Sequence, residues 1–190
     1  MKEIIFVTSN EGKLASAKKV FENTPILLKG YNYELVEPRS YDVVEISKSK
    51  VLQAYDKVKS PCFAIDVGFY ILKLNGFPKT FVNFVLDTIG IDGILKLMED
   101  STNRECYFYE ALAFYDGKKQ KIFTSKIPGT LTYEKIGTLP KNSWSELWKV
   151  FIPKGYEKTI AQMTEKERIE RKKNSAPETI EQFANWIQNI

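Results

Sequence analysis

The chain has 190 residues, of which 43% are hydrophobic and 27% charged, with two cysteines and no histidine. Without histidine, Ser-His and Cys-His catalysis and HExxH metal hydrolysis are excluded. Acid–base chemistry near neutral pH must then use carboxylates, lysines, tyrosines or metal-bound water. The net charge of +4 suits an anionic small molecule and is too small to indicate nucleic acid by itself.

The length fits one domain or two tightly joined lobes, and a single domain over residues 1–190 is predicted, with a cytoplasmic location. No apolar run reaches the ~20 residues of a membrane span, and the N-terminus is typical of a strand, not of a signal peptide. Cys62 and Cys106 lie in apolar runs. They are predicted to be buried free thiols in a reducing compartment, with a disulfide as the open alternative.

The first half of the chain predicts strands alternating with helices. In the second helix, the apolar spacing places Ile46, Val51, Leu52 and Tyr55 inward. The predicted elements are a strand at 3–8, a turn at 9–12, a helix at 13–21, one or two short strands within 26–38, a helix at 44–58 and a strand at 62–72.

The second half mixes a β-hairpin with helices, so the pattern as a whole predicts an α/β fold with a mixed central sheet flanked by helices. The hairpin turns at Asp116-Gly117. The predicted elements are helices at 80–90 and 92–99, hairpin strands at 105–115 and 121–125, a β-region at 127–136, a strand at 148–152 and helices at 164–173 and 177–190.

The first candidate for chemistry lies where the first strand ends and a helix begins. A helix N-terminus offers unpaired N–H groups to an anion, and a lysine there adds a full positive charge. The glycine spacing is not that of a Walker motif. The alternative is an ordinary capped helix with a solvated lysine. The segment is Thr8-Ser9-Asn10-Glu11-Gly12-Lys13.

Asp66 is the second candidate. Alternation along its strand places Asp66 on one face with Ala64 and Gly68, whereas the large apolar residues share the other face. A carboxylate inside such a strand is costly unless it is paired, liganded or facing a cleft, and small neighbours leave room for a substrate or a metal. The alternative is a structural aspartate on a solvent-exposed face.

Three weaker candidates each have a simple structural alternative. Lys48 and Lys50 follow Tyr41-Asp42 on a helix, where solvated lysines are usual. Trp144 and Trp148 could stack on a base or belong to the core. The basic stretch from Lys154 to Lys173 could bind an anion or form an exposed helix with an i,i+4 ion pair between Glu167 and Arg171. Its other cations are Lys158, Lys166, Arg168 and Lys172.

In this order, these residues resemble the Ham1/inosine triphosphate pyrophosphatase family over most of the chain. The opening segment resembles the T-x-N-x-x-K motif, and Lys50 takes the place of a lysine that contacts triphosphate. Three further stretches are similar to the acidic strand, the L-x-G-x-P turn and the F-x-P-x-G segment: 64–68, 74–78 and 151–163.

The resemblance implies a Maf/Ham1 fold with two lobes around a cleft, Mg²⁺ as cofactor and a homodimer. It implies hydrolysis of non-standard purine nucleoside triphosphates to monophosphate and pyrophosphate. Asp66 is then the metal ligand and base, Lys13 a second catalytic residue and Glu37 the other metal ligand. The substrate-binding residues would be 8–13, Lys50, Val67, Trp148, Arg168, Lys172 and Lys173.

The chain departs from the family pattern mainly at the end that recognises the base. Ile65 and Val67 replace an acid and a Ser/Thr beside the aspartate. Residues 145–149, which align with the family's F-G-W/Y-D-P loop, do not keep that motif, and the S-H-R triplet near the end is missing. Long cations near residue 170 would replace that triplet. Two alternatives follow: a relative that binds nucleotide without catalysis, and an RNA-binding protein that uses the basic helix.

Overall fold

The computed structural model describes residues 2–141 and 143–189. In chain order the elements are β1 (Lys2–Val7), α1 (Glu11–Phe21), β2 (Ile26–Tyr31), α2 (Val43–Val58), β3 (Cys62–Ile71), β4 (Pro78–Lys79), α3 (Val82–Thr88), α4 (Gly90–Leu97), β5 (Glu105–Tyr115), β6 (Gln120–Leu131), β7 (Phe151–Pro153), α5 (Glu165–Lys173) and α6 (Thr179–Ile187), with short 3₁₀ turns at Leu72–Leu74 and Glu146–Lys149. The strands form a mixed sheet in the order β2-β1-β3-β5-β6-β7, with β4 paired to β3.

The chain divides into two compact units. The first holds the described residues up to Val67, the segment Glu110–Ser125 and the described residues from Pro177 onward. The second holds Gly68–Tyr109 and Lys126–Ala176. Within the described residues of both units, no helix has the length and apolar character that crossing a membrane requires.

The first unit buries both faces of β3. β1 pairs in parallel with β2 and with β3. On one face, Phe63 stacks on Phe6 with ring centroids 4.4 Å apart and contacts Phe183 of α6 at 4.9 Å. On the other face, Ala64 packs with Val51 of α2. The alternation predicted for this strand is confirmed, and it places Asp66 on the face covered by α2.

The second unit is built around aromatic contacts between strands. β3 pairs with β4, and β6 with β7, both antiparallel. The Phe108 ring lies 4.8 Å from Phe69 and 4.8 Å from Phe151, centroid to centroid. Edge-to-face and tilted contacts of this kind add to the stabilisation that burial supplies.

Several predicted elements are corrected. Leu52 is exposed, because the buried stripe of α2 follows Ile46, Val51 and Ala54 and leaves Leu52 beside it. Trp148 lies in a 3₁₀ turn that the Ser145 hydroxyl caps, and the strand begins only at Phe151. The hairpin partner is one strand, which ends at Leu131, so residues 132–136 do not extend it.

Cys62 and Cys106 are both buried and unpaired by any disulfide. Burial raises the pKa of the Cys62 thiol to about 12 and also raises the pKa of Cys106. Both thiols are therefore inert core groups near neutral pH, and the prediction of free buried cysteines is confirmed.

Candidate active site

Asp66 lies in β3 and is 4% exposed. Its Oδ1 accepts a hydrogen bond from Lys50 Nζ at 3.0 Å. Its Oδ2 is buried and has no hydrogen-bond partner among the described residues. A buried carboxylate oxygen without a partner is costly, because it has lost water and gained nothing in return. The position therefore favours a bound cation or reacting water over a purely structural role.

Lys50 joins Asp66 to a second carboxylate. The Lys50 Nζ lies 2.8 Å from Glu37 Oε1 and 3.0 Å from Asp66 Oδ1. Glu37 comes from the loop between β2 and α2, and its side chain is more exposed than that of Asp66. A strand, a loop and a helix thus bring three predicted site residues together, with the ammonium group of Lys50 between the carboxylates of Asp66 and Glu37.

Gln53 holds the loop that carries Glu37. Its Nε2 donates to the Val36 carbonyl at 2.8 Å, and its Oε1 accepts from the Val36 N–H at 3.0 Å. These two bonds fix the residue that precedes Glu37. Gln53 is not among the predicted site residues, although it lies three positions after Lys50 and therefore on the same helix face.

The charged groups of this cluster shift one another's pKa values. Burial raises the pKa of Asp66, although Lys50 and Lys13 oppose the rise. Burial alone would lower the pKa of Lys50, but the carboxylates of Asp66 and Glu37 outweigh it and raise that pKa. Burial and the charge of Lys50 lower the pKa of Lys13. Two lysines near one buried carboxylate form a surrounding that a further anion would stabilise.

The turn before α1 forms the predicted cap. Asn10 Oδ1 accepts from the Lys13 N–H at 2.9 Å, and the Asn10 N–H donates to Thr8 Oγ1 at 3.1 Å. The helix itself offers no acceptor to the N–H groups of Glu11 and Gly12, so an anion could accept a hydrogen bond from each of them. In this segment Ser9 and Glu11 are exposed, Thr8, Asn10 and Lys13 are half-buried, and Gly12 is buried.

Glu110 is a further acid that sequence analysis missed. It is buried in β5, and its Oε2 accepts from Ser125 Oγ at 3.0 Å and from Thr179 Oγ1 at 3.2 Å. Its negative charge also raises the pKa of Lys13, against the larger lowering by burial. The available signal was an acid inside an otherwise apolar strand. By contrast, the predicted Val67 packs against the apolar core of the first unit.

The two tryptophans lie in the second unit. Trp148 is buried and meets Trp144 edge to face at 5.7 Å, and Trp144 meets Phe108 in the same way at 5.7 Å. Trp148 Nε1 is buried without a hydrogen-bond partner in the described part of the chain. The structure therefore packs Trp148 as a core residue that retains one unpaired donor.

The basic helix α5 holds its cations more firmly than a row of solvated side chains would. Arg168 Nη1 donates to the Met163 carbonyl, and Arg171 is buried. Lys172 is half-buried and Lys173 exposed. Arg168 and Arg171 are therefore not solvated side chains of a fully exposed helix.

Glu167 has a different ion-pair partner from the one predicted. Its Oε1 pairs with Lys158 at 2.6 Å, and its Oε2 accepts from the Thr164 N–H at 2.7 Å. The Thr164 hydroxyl in turn caps the Glu167 N–H. Because this capping box and Lys158 engage both oxygens, the ion pair with Lys158 replaces the predicted one with Arg171.

The sequence profile of the Ham1 family matches residues 4–182. The chain belongs to the Ham1 family. A relative named dITP/XTP pyrophosphatase in Thermococcus kodakarensis is 34% identical over 190 residues, covering 97% of each chain. Another, in Saccharolobus solfataricus, is 36% identical over 162 residues and covers 85% of this chain and 82% of its own. A solved HAM1 protein of Coxiella burnetii matches with a TM-score of 0.81 at 21% identity, covering 100% of both chains.

The Ham1 membership and the mixed α/β fold predicted from the sequence are confirmed. The carboxylates also fit the predicted cofactor. Mg²⁺ prefers oxygen ligands and commonly binds through one or two carboxylates, keeping several waters or phosphate oxygens. Asp66 and Glu37 supply two carboxylates, one with a buried unpaired oxygen. Within residues 2–141 and 143–189, no group of three or more His, Cys, Asp or Glu residues could hold a metal.

Proposed function

We propose that this chain hydrolyses non-standard purine nucleoside triphosphates, such as ITP, dITP and XTP, to nucleoside monophosphate and pyrophosphate. The observation that carries the proposal is the buried Asp66, with one unpaired oxygen, linked through Lys50 to Glu37. Ham1 relatives named dITP/XTP pyrophosphatase, 34% and 36% identical to this chain, support the reaction class and the substrates.

In the proposed reaction, Asp66 orients the water that attacks the α-phosphorus and accepts its proton. The Oδ2 atom of Asp66 has no hydrogen-bond partner among the described residues, so this oxygen is available to accept the proton. The bond between the α-phosphorus and the bridging oxygen breaks, and the electron pair leaves with pyrophosphate. Lys13, Lys50 and the N–H groups of Glu11 and Gly12 hold the β and γ phosphates and stabilise the departing charge.

Asp66 and Glu37 are the residues that would hold Mg²⁺. When bound, the ion neutralises phosphate charge and makes a coordinated water more acidic. Removing divalent cations with a chelator is expected to stop pyrophosphate release, and adding Mg²⁺ back should restore it.

A screen of ITP, dITP, XTP, ATP and GTP with Mg²⁺ tests the function directly. The expected products are the monophosphate and pyrophosphate, resolved by ion-exchange chromatography. Release of orthophosphate would contradict the proposed position of attack. Tight ITP binding without any product would instead support the alternative of a relative that binds nucleotide without catalysis. The RNA-binding alternative has lost support, because Arg168 and Arg171 contact the protein itself or are buried.

The protein is further proposed to be a cytoplasmic homodimer. The free buried thiols suit a reducing compartment. Around α3 and α4, Phe81, Phe84, Ile89 and Leu97 are exposed apolar side chains, and such patches commonly mark protein interfaces. Light scattering after size exclusion should give twice the chain mass, and Phe84→Glu should shift that mass toward the monomer. A monomeric mass for the unsubstituted protein would rule out the dimer.

A further inference from the structure

Lys50 contacts the same carboxylates that the proposed function assigns to the cation. Its Nζ lies within 3.0 Å of Asp66 Oδ1 and 2.8 Å of Glu37 Oε1. A divalent cation bound to these two carboxylates, even through the unpaired Asp66 Oδ2, would lie close to the Lys50 ammonium group, and the two positive charges would repel each other strongly. The side chain of Lys50 is 12% exposed, so water screens that repulsion poorly.

Lys50 can leave the cluster while Asp66 and the backbone before Glu37 keep their positions. Asp66 is fixed by a buried strand, and the loop with Glu37 is held by the two bonds from Gln53 to Val36. Lysine carries its charge on a flexible four-carbon stem. Rotation of that stem moves the ammonium group while both carboxylates stay in place.

We propose that Lys50 and a divalent cation compete for Asp66 and Glu37, so that cation binding releases Lys50 to the polyphosphate. This inference rests on the proposed function for the second half of the step, whereas the competition itself needs no nucleotide. Lys50 thereby keeps the buried carboxylate neutralised until the cation arrives. The same charge then serves as a phosphate ligand.

The competition is tested by cation affinity without nucleotide. Free Mn²⁺ is measured by electron paramagnetic resonance during titration of the unsubstituted protein and of Lys50→Met. The variant should bind Mn²⁺ on the order of tenfold more tightly, because no positive charge opposes the ion. Lys48→Met is the matched control, since Lys48 is exposed on the same helix. It loses the same charge, and its affinity should stay unchanged. Asp66→Asn should abolish binding in either background.

Lys50→Met leaves two carboxylates uncompensated and can therefore lose stability. Lys50→Gln, which keeps a hydrogen-bond donor, is the second variant, and Mg²⁺ should raise the melting temperature of both variants more than that of the unsubstituted protein. Equal Mn²⁺ affinity in Lys50→Met and Lys48→Met overturns the competition. So does failure of Mg²⁺ to restore folding to both Lys50 variants, if both are unfolded without it.

The competition and the proposed function fail separately. If the protein releases pyrophosphate but the Lys50 variants bind Mn²⁺ no better than the control, only the competition is wrong. If the Lys50 variants bind Mn²⁺ more tightly but no triphosphate is cleaved, the competition stands and the function is wrong.

Discussion

The two units satisfy their buried cations in different ways. In the second unit, Arg104 donates to the carbonyls of Leu131 at 2.8 Å, Met98 at 2.8 Å and Thr132 at 2.6 Å. Its guanidinium also lies over the Tyr133 ring. In the first unit, Lys50 binds two carboxylates, and one of them keeps an unpaired buried oxygen.

That difference separates a structural charge from a functional one. Backbone carbonyls are neutral and fixed, so Arg104 ties the end of the helix near Met98 to Leu131 and Thr132, and this arrangement has no need of a ligand. The carboxylates around Lys50 instead form a charged cluster that remains incomplete without another partner. Chemistry is therefore expected in the first unit.

The largest expected effect comes from Asp66→Asn. The substitution keeps the shape of the side chain and removes the base and metal ligand, so kcat/KM for ITP should fall by about 10²–10⁴-fold. Pyrophosphate release measures the loss, and a cooperative thermal transition shows that the fold is kept. Asp56→Asn, on an exposed part of α2, should leave the rate unchanged. Full activity in Asp66→Asn would show that Asp66 is neither the base nor a required metal ligand, and that the chemistry does not depend on this cluster of the first unit.

Lys13→Ala should give the next largest effect. If Lys13 holds phosphate, losing a charge-assisted hydrogen bond should weaken ITP binding by about 1–3 kcal/mol and leave inosine binding nearly unchanged. Calorimetric titration with both ligands measures the difference. Lys18→Ala, on the exposed side of the same helix, should affect neither ligand. Equal losses of binding free energy for ITP and inosine would show that Lys13 does not bind phosphate and only forms part of the first turn of the helix.

The same contrast explains what the sequence could predict. Asp66 and the start of α1 could be predicted from the sequence because a polar residue interrupts a strict local pattern in each case, as Asn10 does at a strand–helix junction. The ion pairs could not be predicted, because Lys50 is separated in sequence from Glu37 by 13 positions and from Asp66 by 16. Such contacts depend on how distant elements pack. Gln53 and Glu110 did carry local signals, namely the helix face shared with Lys50 and an acid inside an apolar strand. Their partners, Val36 and Thr179, lie far away in sequence and could not be predicted.

Predictions in the second unit failed where side-chain contacts override local pattern. Trp148 and its neighbours suggested a strand, yet a serine cap closes a 3₁₀ turn there. The charges of α5 suggested an i,i+4 pair, yet Lys158, which lies outside the helix, takes Glu167. Local spacing thus predicted the elements of this region better than their contacts.

Trp148→Phe tests the predicted role of Trp148 in binding the base. The variant keeps an aromatic ring and removes the unpaired N–H. If that donor contacts the purine, the ratio of kcat/KM for ITP to that for ATP should change by about 2- to 12-fold, the value of one neutral hydrogen bond. Arg168→Ala is expected to change the ratio within the same range. Trp186→Phe, in α6 of the first unit, is the control. An unchanged ratio in both variants would place base recognition on other residues.

The smallest expected effect is a difference in pH dependence between the two units. Burial raises the pKa of Asp66 above 3.8, whereas the Lys158 side chain and the Thr164 N–H lower the pKa of Glu167 from 4.5 to about 2. A raised carboxyl pKa stabilises the folded state below pH 3.8, and this contribution is lost as the pH rises through the folded pKa. A lowered pKa gives stability above pH 4.5 that is lost as the pH falls toward 2.

The two contributions therefore have opposite slopes in acid, and amide variants can separate them. Melting temperatures are measured between about pH 2 and pH 6 with a chelator present. Relative to the unsubstituted protein, Asp66→Asn should become more stable as the pH rises, because the variant has no buried carboxyl to ionise. Glu167→Gln should become less stable over the same range, because only the unsubstituted protein gains its capping carboxylate. The shift for Glu167→Gln should be small, since the carboxylate is exposed and water screens its ion pair. If melting temperature changes with pH in the same direction for both variants, burial does not determine the pKa of Asp66, and the cations around Asp66 hold that pKa down instead.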